Sequence, residues 1–277
     1  MARERPDDKG DEDGVRLYFE IARCAFRREM AYRTKNLAGL FTNVCFGYLR
    51  AIPLLAALEG RQSVVGYDLA DIVTWNWLVQ SLIMVVGLWG WWEVEQTIRS
   101  GDVVSDLSKP FSFLGFWLAR DYGRACYYLL FRCLPILLAG QLIFGLRWPA
   151  SPLTWLAFAL SLALAVTVGF AWRFLLNLSA FWTTDARGLG GLGLVASTFL
   201  SGFLIPLQFF PDWARGVVEA LPFARMMQTP ADVFLGHLQG WDLIMAFAHQ
   251  LAWAAAMLLL AQVVVTAAGR RVVIQGG

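Results

Sequence analysis

Histidine, cysteine and charge are all scarce in this chain of 277 residues. His237 and His249 are its two histidines, and neither has a second ligand three or four residues away. That spacing excludes a transition-metal site built on one helix face. Cys24, Cys45, Cys126 and Cys133 form no CxxC pair and read as small apolar residues with inert thiols. GxxxxGK[ST] is missing, so the chain cannot itself cradle nucleotide phosphates. HExxH, GxSxG and a carboxylate pair inside an apolar run are missing too, which removes the common hydrolase chemistries. Only 16% of residues are charged and the formal net charge is +2, so no nucleic-acid partner is indicated.

What is present is apolar surface in long runs. The chain is 58% hydrophobic, with a mean hydropathy of +0.53. Six runs cover residues 37–58, 72–92, 125–146, 153–172, 188–207 and 243–268. Each has about 20 residues or more, which at about 1.5 Å per residue matches a hydrocarbon core of about 30 Å. The expected fold is an all-α integral membrane protein with six transmembrane helices. Nine of the 23 Lys and Arg residues precede the first run. Counting the segments between runs then places both termini in the cytoplasm, by the positive-inside bias. Residues 1–14 mix both charge signs with Gly and Pro and read as a disordered cytoplasmic tail.

Residues 15–35 read as an amphipathic interfacial helix. Val15, Phe19, Ala22, Phe26 and Met30 share one face, and Arg16, Glu20, Arg23 and Arg27 another. The tryptophans of the second run, Trp75 and Trp77 at one end and Trp89, Trp91 and Trp92 at the other, read as interfacial belts. Gly188-Leu-Gly190-Gly191-Leu-Gly193 fits GxGxxG on paper, but no strand precedes it. Small residues that admit close helix approach explain it better. Residues 208–242 break the pattern. A short helix is expected between Pro211 and Pro222, and a second one is expected to be N-capped by Thr229 with Pro230 at its first position. Both are too short to span and read as interfacial or re-entrant.

Two places invite chemistry. Residues 93–110, after the second run, read as short helical pieces broken by Gly101 and Pro110 with both charge signs on a small exposed surface, and form either a docking surface or an ordinary connector. Arg132 and Arg173 fall inside runs, with Glu93, Glu95 and Asp121 towards the same side. They either line a polar inner vestibule or snorkel to the interface.

Taken together, the lead-in helix, the six runs and Ile98-Arg-Ser-Gly101-Asp…Leu107-Ser-Lys109-Pro110 resemble the ABC-2 type permeases, the membrane subunits of ATP-binding-cassette exporters. Ser201-Gly202-Phe-Leu-Ile-Pro206…Phe210-Pro211-Asp-Trp213, Leu221-Pro222-Phe223 and Pro230…Leu235-Gly236 extend the resemblance over most of the chain after residue 15. The resemblance implies a non-catalytic subunit that pairs with a second permease, identical or homologous, above separate ATPase chains that bind ATP and Mg. It makes residues 15–35 a connecting helix. It makes Gln96, Ile98, Arg99, Gly101, Asp102, Asp106, Lys109 and Pro110 an ATPase-coupling segment. Pro206, Phe210, Pro211, Trp213, Pro222 and Pro230 then belong to an outer re-entrant region whose short helices cover about 211–237. Efflux of a drug, antibiotic or other amphipathic compound across a prokaryotic inner membrane is the implied activity. A membrane assembly protein and a lipid-modifying membrane enzyme are the alternatives.

Overall fold

The computed structural model describes residues 7–57, 63, 65–183 and 186–275, and every regular element among them is helical. Helix α1 runs Asp7–Ala31, so residues 7–14, expected to be disordered, form its first turns. Helix α2 is Arg33–Ala57 and α3 is Leu69–Val86. Asp68 starts α3 with a capping box: its carboxylate accepts from the Asp71 backbone while Asp71 accepts from its own. Gly87, at φ +72°, ends the helix six residues before the apolar run does. Trp91 and Trp92 therefore lie in a connector rather than at a span end.

Two short helices follow, α4 Glu93–Ser100 and α5 Val103–Leu107. Helix α6, Phe113–Tyr128, continues through a π-helical turn at Leu129–Cys133 into α7, Leu134–Phe144. Pro135 lacks the N–H that residue 131 would need for a regular turn, and the widened π turn absorbs the mismatch. This span begins at 113 instead of 125, so Asp121 and Arg124 lie within it. Helix α8, Pro152–Leu178, is capped by Ser151 and has proline at its first turn. Helices α9 Arg187–Leu200, α10 Asp212–Ala220, α11 Gln228–Leu235 and α12 Gly240–Gln275 complete the chain.

Five described helices are long and apolar enough to cross a membrane: Asn36–Ala56, Leu69–Val86, Phe113–Phe144, Pro152–Phe181 and Gly240–Arg270. The run at 188–207 is not a sixth of that length. Helix α9 has 14 residues, about 21 Å, and the backbone then turns at Gly202, where φ is +80°. Its two ends nonetheless meet opposite ends of the bundle. A Cβ at Gly190 would collide with Trp92, whereas Ser201 accepts a hydrogen bond from the Gln228 backbone at 3.0 Å. Gly193 sits against Leu176, so the glycine-rich run is a packing surface.

Helix α3 is the hub, with 83% of its span buried against 17% for α2. Trp75 and Trp77 are fully buried, which overturns the belt reading for that end. The Trp77 ring lies between Gly47 of α2 and Gly140 of α7, where any side chain would displace it. Helix α1 crosses α6 at Gly123, whose missing Cβ leaves room for the Ala22 backbone. Its apolar stripe divides there: Phe26 packs edge-on to Tyr127, while Val15 and Phe19 stay exposed.

Candidate functional site

Helices α4 and α5 present a small polar surface on a rigid base. Val94 and Val103 are buried, and Ile98 and Leu107 pack against the same cluster as Phe113, Trp117 and Phe174. Gly101 joins the two helices at φ +84°, a left-handed turn that glycine adopts without strain. Gln96, Arg99, Gly101, Asp102, Lys109 and Pro110 are exposed, together with Val104, while Asp106 is half-buried and pairs with Lys109 at 2.6 Å. Of the eight residues expected to form this surface, Ile98 instead anchors it. Arg99 also pairs with Glu95 at 3.2 Å, and Glu95 is buried.

Asn177 on α8 ties this base to the spans. Its Oδ1 accepts the Glu95 backbone N–H at 3.0 Å, and its Nδ2 donates to the carbonyls of Trp91 and Arg173 at 2.7 Å each. One turn earlier, Arg173 makes two parallel bonds to Asp121, at 3.2 and 2.9 Å, and Arg124 Nε donates to the same carboxylate at 2.8 Å. Both arginines also serve the end of α3. The last four carbonyls of a helix have no intrahelical donor. Here Ile83 O accepts from Gly87 and Leu88, Met84 O and Val85 O from Arg124, and Val86 O from Arg173. The cations thus sit where the helix dipole is negative.

The four expected vestibule residues separate accordingly. Asp121 and Arg173 come together in a buried cluster, and neither snorkels. Glu93 pairs with Arg28 of α1, at 3.0 Å, and with Arg120 of α6. Glu93 and Asp121 share a polar cavity of about 50 Å³ with Arg28, Glu29, Arg120 and Arg124, which has room for waters and no larger solute. Arg132 joins neither group. It is buried in the π turn over the face of Tyr128, with a guanidinium nitrogen in the space a Gly39 side chain would fill.

At the opposite end, α11 is buried from Gln228 to Phe234, while α10 is mostly exposed, with Trp213 at 83% and Val217 at 64%. Pro206, Pro222 and Pro230 are buried, Phe210 is half-buried and Pro211 is exposed. Helix α11 begins at Gln228, so Thr229 lies inside it and does not cap it. The Thr229 hydroxyl accepts from Arg225 at 3.1 Å. Asp232 accepts from Tyr67 at 2.7 Å and from Gln228 at 2.8 Å, and Gln228 in turn accepts the Leu207 N–H at 3.1 Å. Burial pushes the Asp232 carboxyl above the ordinary range, against the Tyr67 and Gln228 hydrogen bonds that pull it down. His237 stands 3.4 Å from Asp71, which Arg147 also pairs. Arg50 of α2 reaches the turn after α9. It donates to Phe203 O, to Leu204 O at 3.2 Å and to Gln80 of α3 at 2.9 Å, and it lies 4.3 Å over the Phe203 ring.

Asn177, Arg50, Gln80, Gln228 and Asp232 were not singled out from sequence. Their signal was an isolated polar residue in an apolar setting, which is costly unless partnered. Among the described residues no group of three or more His, Cys, Asp or Glu is placed to hold a metal. The family model described as ABC-2 family transporter protein matches residues 48–276. No curated protein matches the chain.

Proposed function

The chain belongs to the ABC-2 family of transporter proteins, a multi-pass membrane family, and on that premise we propose that it is the permease of an ATP-driven exporter. The motor is a separate ATPase chain that carries ATP and Mg, and it docks on the exposed face of α4 and α5. The observation that carries this reading is Asn177. A pushed surface loop would fold away, but this one is hydrogen-bonded into α8, so movement of α4 passes to the span.

The reading has further parts. Helix α9 with its turn makes the sixth crossing, since its ends meet opposite ends of the bundle, and both termini are cytoplasmic. Helices α10 and α11 form the outer re-entrant pair, and the apolar length of α11 is satisfied by burial rather than by lipid. A second permease, identical or homologous, covers the exposed apolar face of α2, where Leu37, Phe41 and Leu49 are 58–72% exposed. The pair passes an amphipathic compound outward across a prokaryotic inner membrane.

The test is purification of the tagged full chain from its native membrane, with identification of the co-eluting chains. A P-loop ATPase is expected in the wild-type eluate, and Val104→Glu is expected to reduce it without changing the amount of inserted permease. Absence of any ATPase from the wild-type eluate would overturn the reading.

A further inference from the structure

A groove of about 370 Å³ runs between the α6–α7 helix and α8. Tyr122, Cys126 and Leu137 line one wall, Trp155 and Val166 the other, and Phe234 of α11 closes one end. All but Phe234 belong to membrane-length helices. The groove opens onto lipid-facing surface, because Leu134 and Leu138 on α7 and Leu156 and Leu160 on α8, beside it, are 45–68% exposed.

Its dimensions are selective. Tyr122 to Leu137 spans about 22 Å of helix and Trp155 to Val166 about 17 Å, against about 15 Å of hydrocarbon in one leaflet. Spread over about 20 Å, 370 Å³ of room for the centre of a water-sized solute is a track about 5 Å wide, and that solute's radius of about 1.4 Å on each side makes the groove about 8 Å across. That is narrower than a helix, about 10 Å at the least, and admits an alkyl chain.

The Tyr122 and Cys133 side chains in the groove wall have their polar atoms engaged within the protein. The Tyr122 hydroxyl is engaged with Ala163 O at 3.1 Å and with Thr167 at 2.7 Å, and the Cys133 thiol with Ser81 at 3.3 Å. At the α11 end the Trp148 indole donates to Gln141 at 2.7 Å and stacks on Trp155 at 5.9 Å. Indoles of this kind sit at headgroup level.

We propose that this groove is a binding site for one acyl chain of a membrane phospholipid, with its ester end beside Trp148 and Trp155 and its methyl end towards Tyr122. The proposal is independent of transport and stands whether or not an ATPase partner is found.

The test uses the full chain in nanodiscs of phosphatidylethanolamine and phosphatidylglycerol, with a trace of phospholipid carrying a diazirine in one acyl chain. After irradiation, labelling is expected to concentrate on residues 122–137 and 155–166, several-fold above the equally lipid-facing end of α7. Ala163→Phe, which fills the groove, should lower that labelling several-fold and leave the rest unchanged. Should that variant fail to insert, Ala159→Leu and a count of phospholipid retained by the wild-type chain after detergent exchange replace it. Labelling proportional to exposure on every helix, labelling unchanged by the filled groove, or no retained phospholipid would each overturn the proposal. So would a protein segment cross-linked in the groove.

Discussion

Arg173 holds Asp121 through both arms of its guanidinium, at 3.2 and 2.9 Å, in a place where each side chain is 5% exposed or less. Two arginines share that one carboxylate, and the surplus positive charge faces the carbonyl end of α3. The arrangement is structural in the first instance, because it completes the hydrogen bonding of a helix terminus inside the bundle.

Removing either member should therefore unfold rather than retune. Asp121→Asn leaves two buried arginines without their counter-charge, at a cost of about 3–5 kcal/mol, whereas Arg173→Ala leaves Asp121 paired with Arg124 but strips the Val86 carbonyl of its donor, at a smaller cost of about 1–3 kcal/mol. Arg173→Lys should recover little, since lysine cannot make the two-pronged contact. The readout is melting temperature and the yield of monodisperse protein. Wild-type stability with altered transport would instead place Arg173 in the conduction path.

On the docking proposed for α4 and α5, Arg99 would have two roles, and they can be separated. Arg99→Ala exposes the docking surface to a change of charge, but it also strips buried Glu95 of its partner. Arg99→Ala with Glu95→Gln should regain stability while still binding the ATPase weakly. Asp102→Lys, on the exposed turn, should weaken binding with no loss of stability. Co-purification and a melting curve on the same samples distinguish these outcomes, and full ATPase binding by Asp102→Lys would remove Asp102 from the interface.

Gly202 is needed for its shape. Its φ is +80°, and a Cβ there would stand 2.5 Å from Gln228 Oε1, the atom that accepts the Leu207 N–H. Gly202→Ala should cost about 1–3 kcal/mol through strain and a displaced buried amide. Protease accessibility of the segment after α9 is the sensitive measurement, and unchanged protection would count against this account.

Stability should also depend on pH through Asp232. A carboxyl whose folded value is raised contributes stability that is complete below its unfolded value, about pH 4, and lost as pH rises through the folded value. Asp232→Asn should therefore gain on the wild type as pH rises above about 4 and through the folded value. Asp68 does not confuse the comparison. Burial raises it, but the Asp71 N–H and Arg147 outweigh that and hold it below the ordinary range, so its contribution is lost only as pH falls below about 4. A constant difference in melting temperature across the series would show that Asp232 does not titrate there.

The spans were legible because apolar runs carry their own signal, and so was the connector, where Gly101 and Pro110 bracket polar residues. The run at 188–207 misled because hydropathy continues through Ser201 and Phe203, whereas the chain direction depends on the sign of φ at Gly202. Trp75 and Trp77 have the composition of a belt, and what makes them core is a pair of glycines on other helices. The partnership of Asp121 with Arg173 spans 52 residues and two helices, a juxtaposition that no local pattern encodes.

Arg50 bears on the order of assembly. Its carbonyl partners at Phe203 and Leu204 lie 153 and 154 residues downstream. At roughly 5–20 residues per second, they leave the ribosome on the order of 10–30 s after it does. Until then the guanidinium in the second helix has only the Gln80 amide oxygen of α3 to accept from it, and its other arm is best satisfied near water or headgroups. Depth mapping of α2 in chains truncated before and after residue 204 is expected to find it shallower in the shorter chain, and equal depths would refute this. Helix α2 thus reaches its final seat only after the turn that follows α9 has been made, and its depth stays provisional until then.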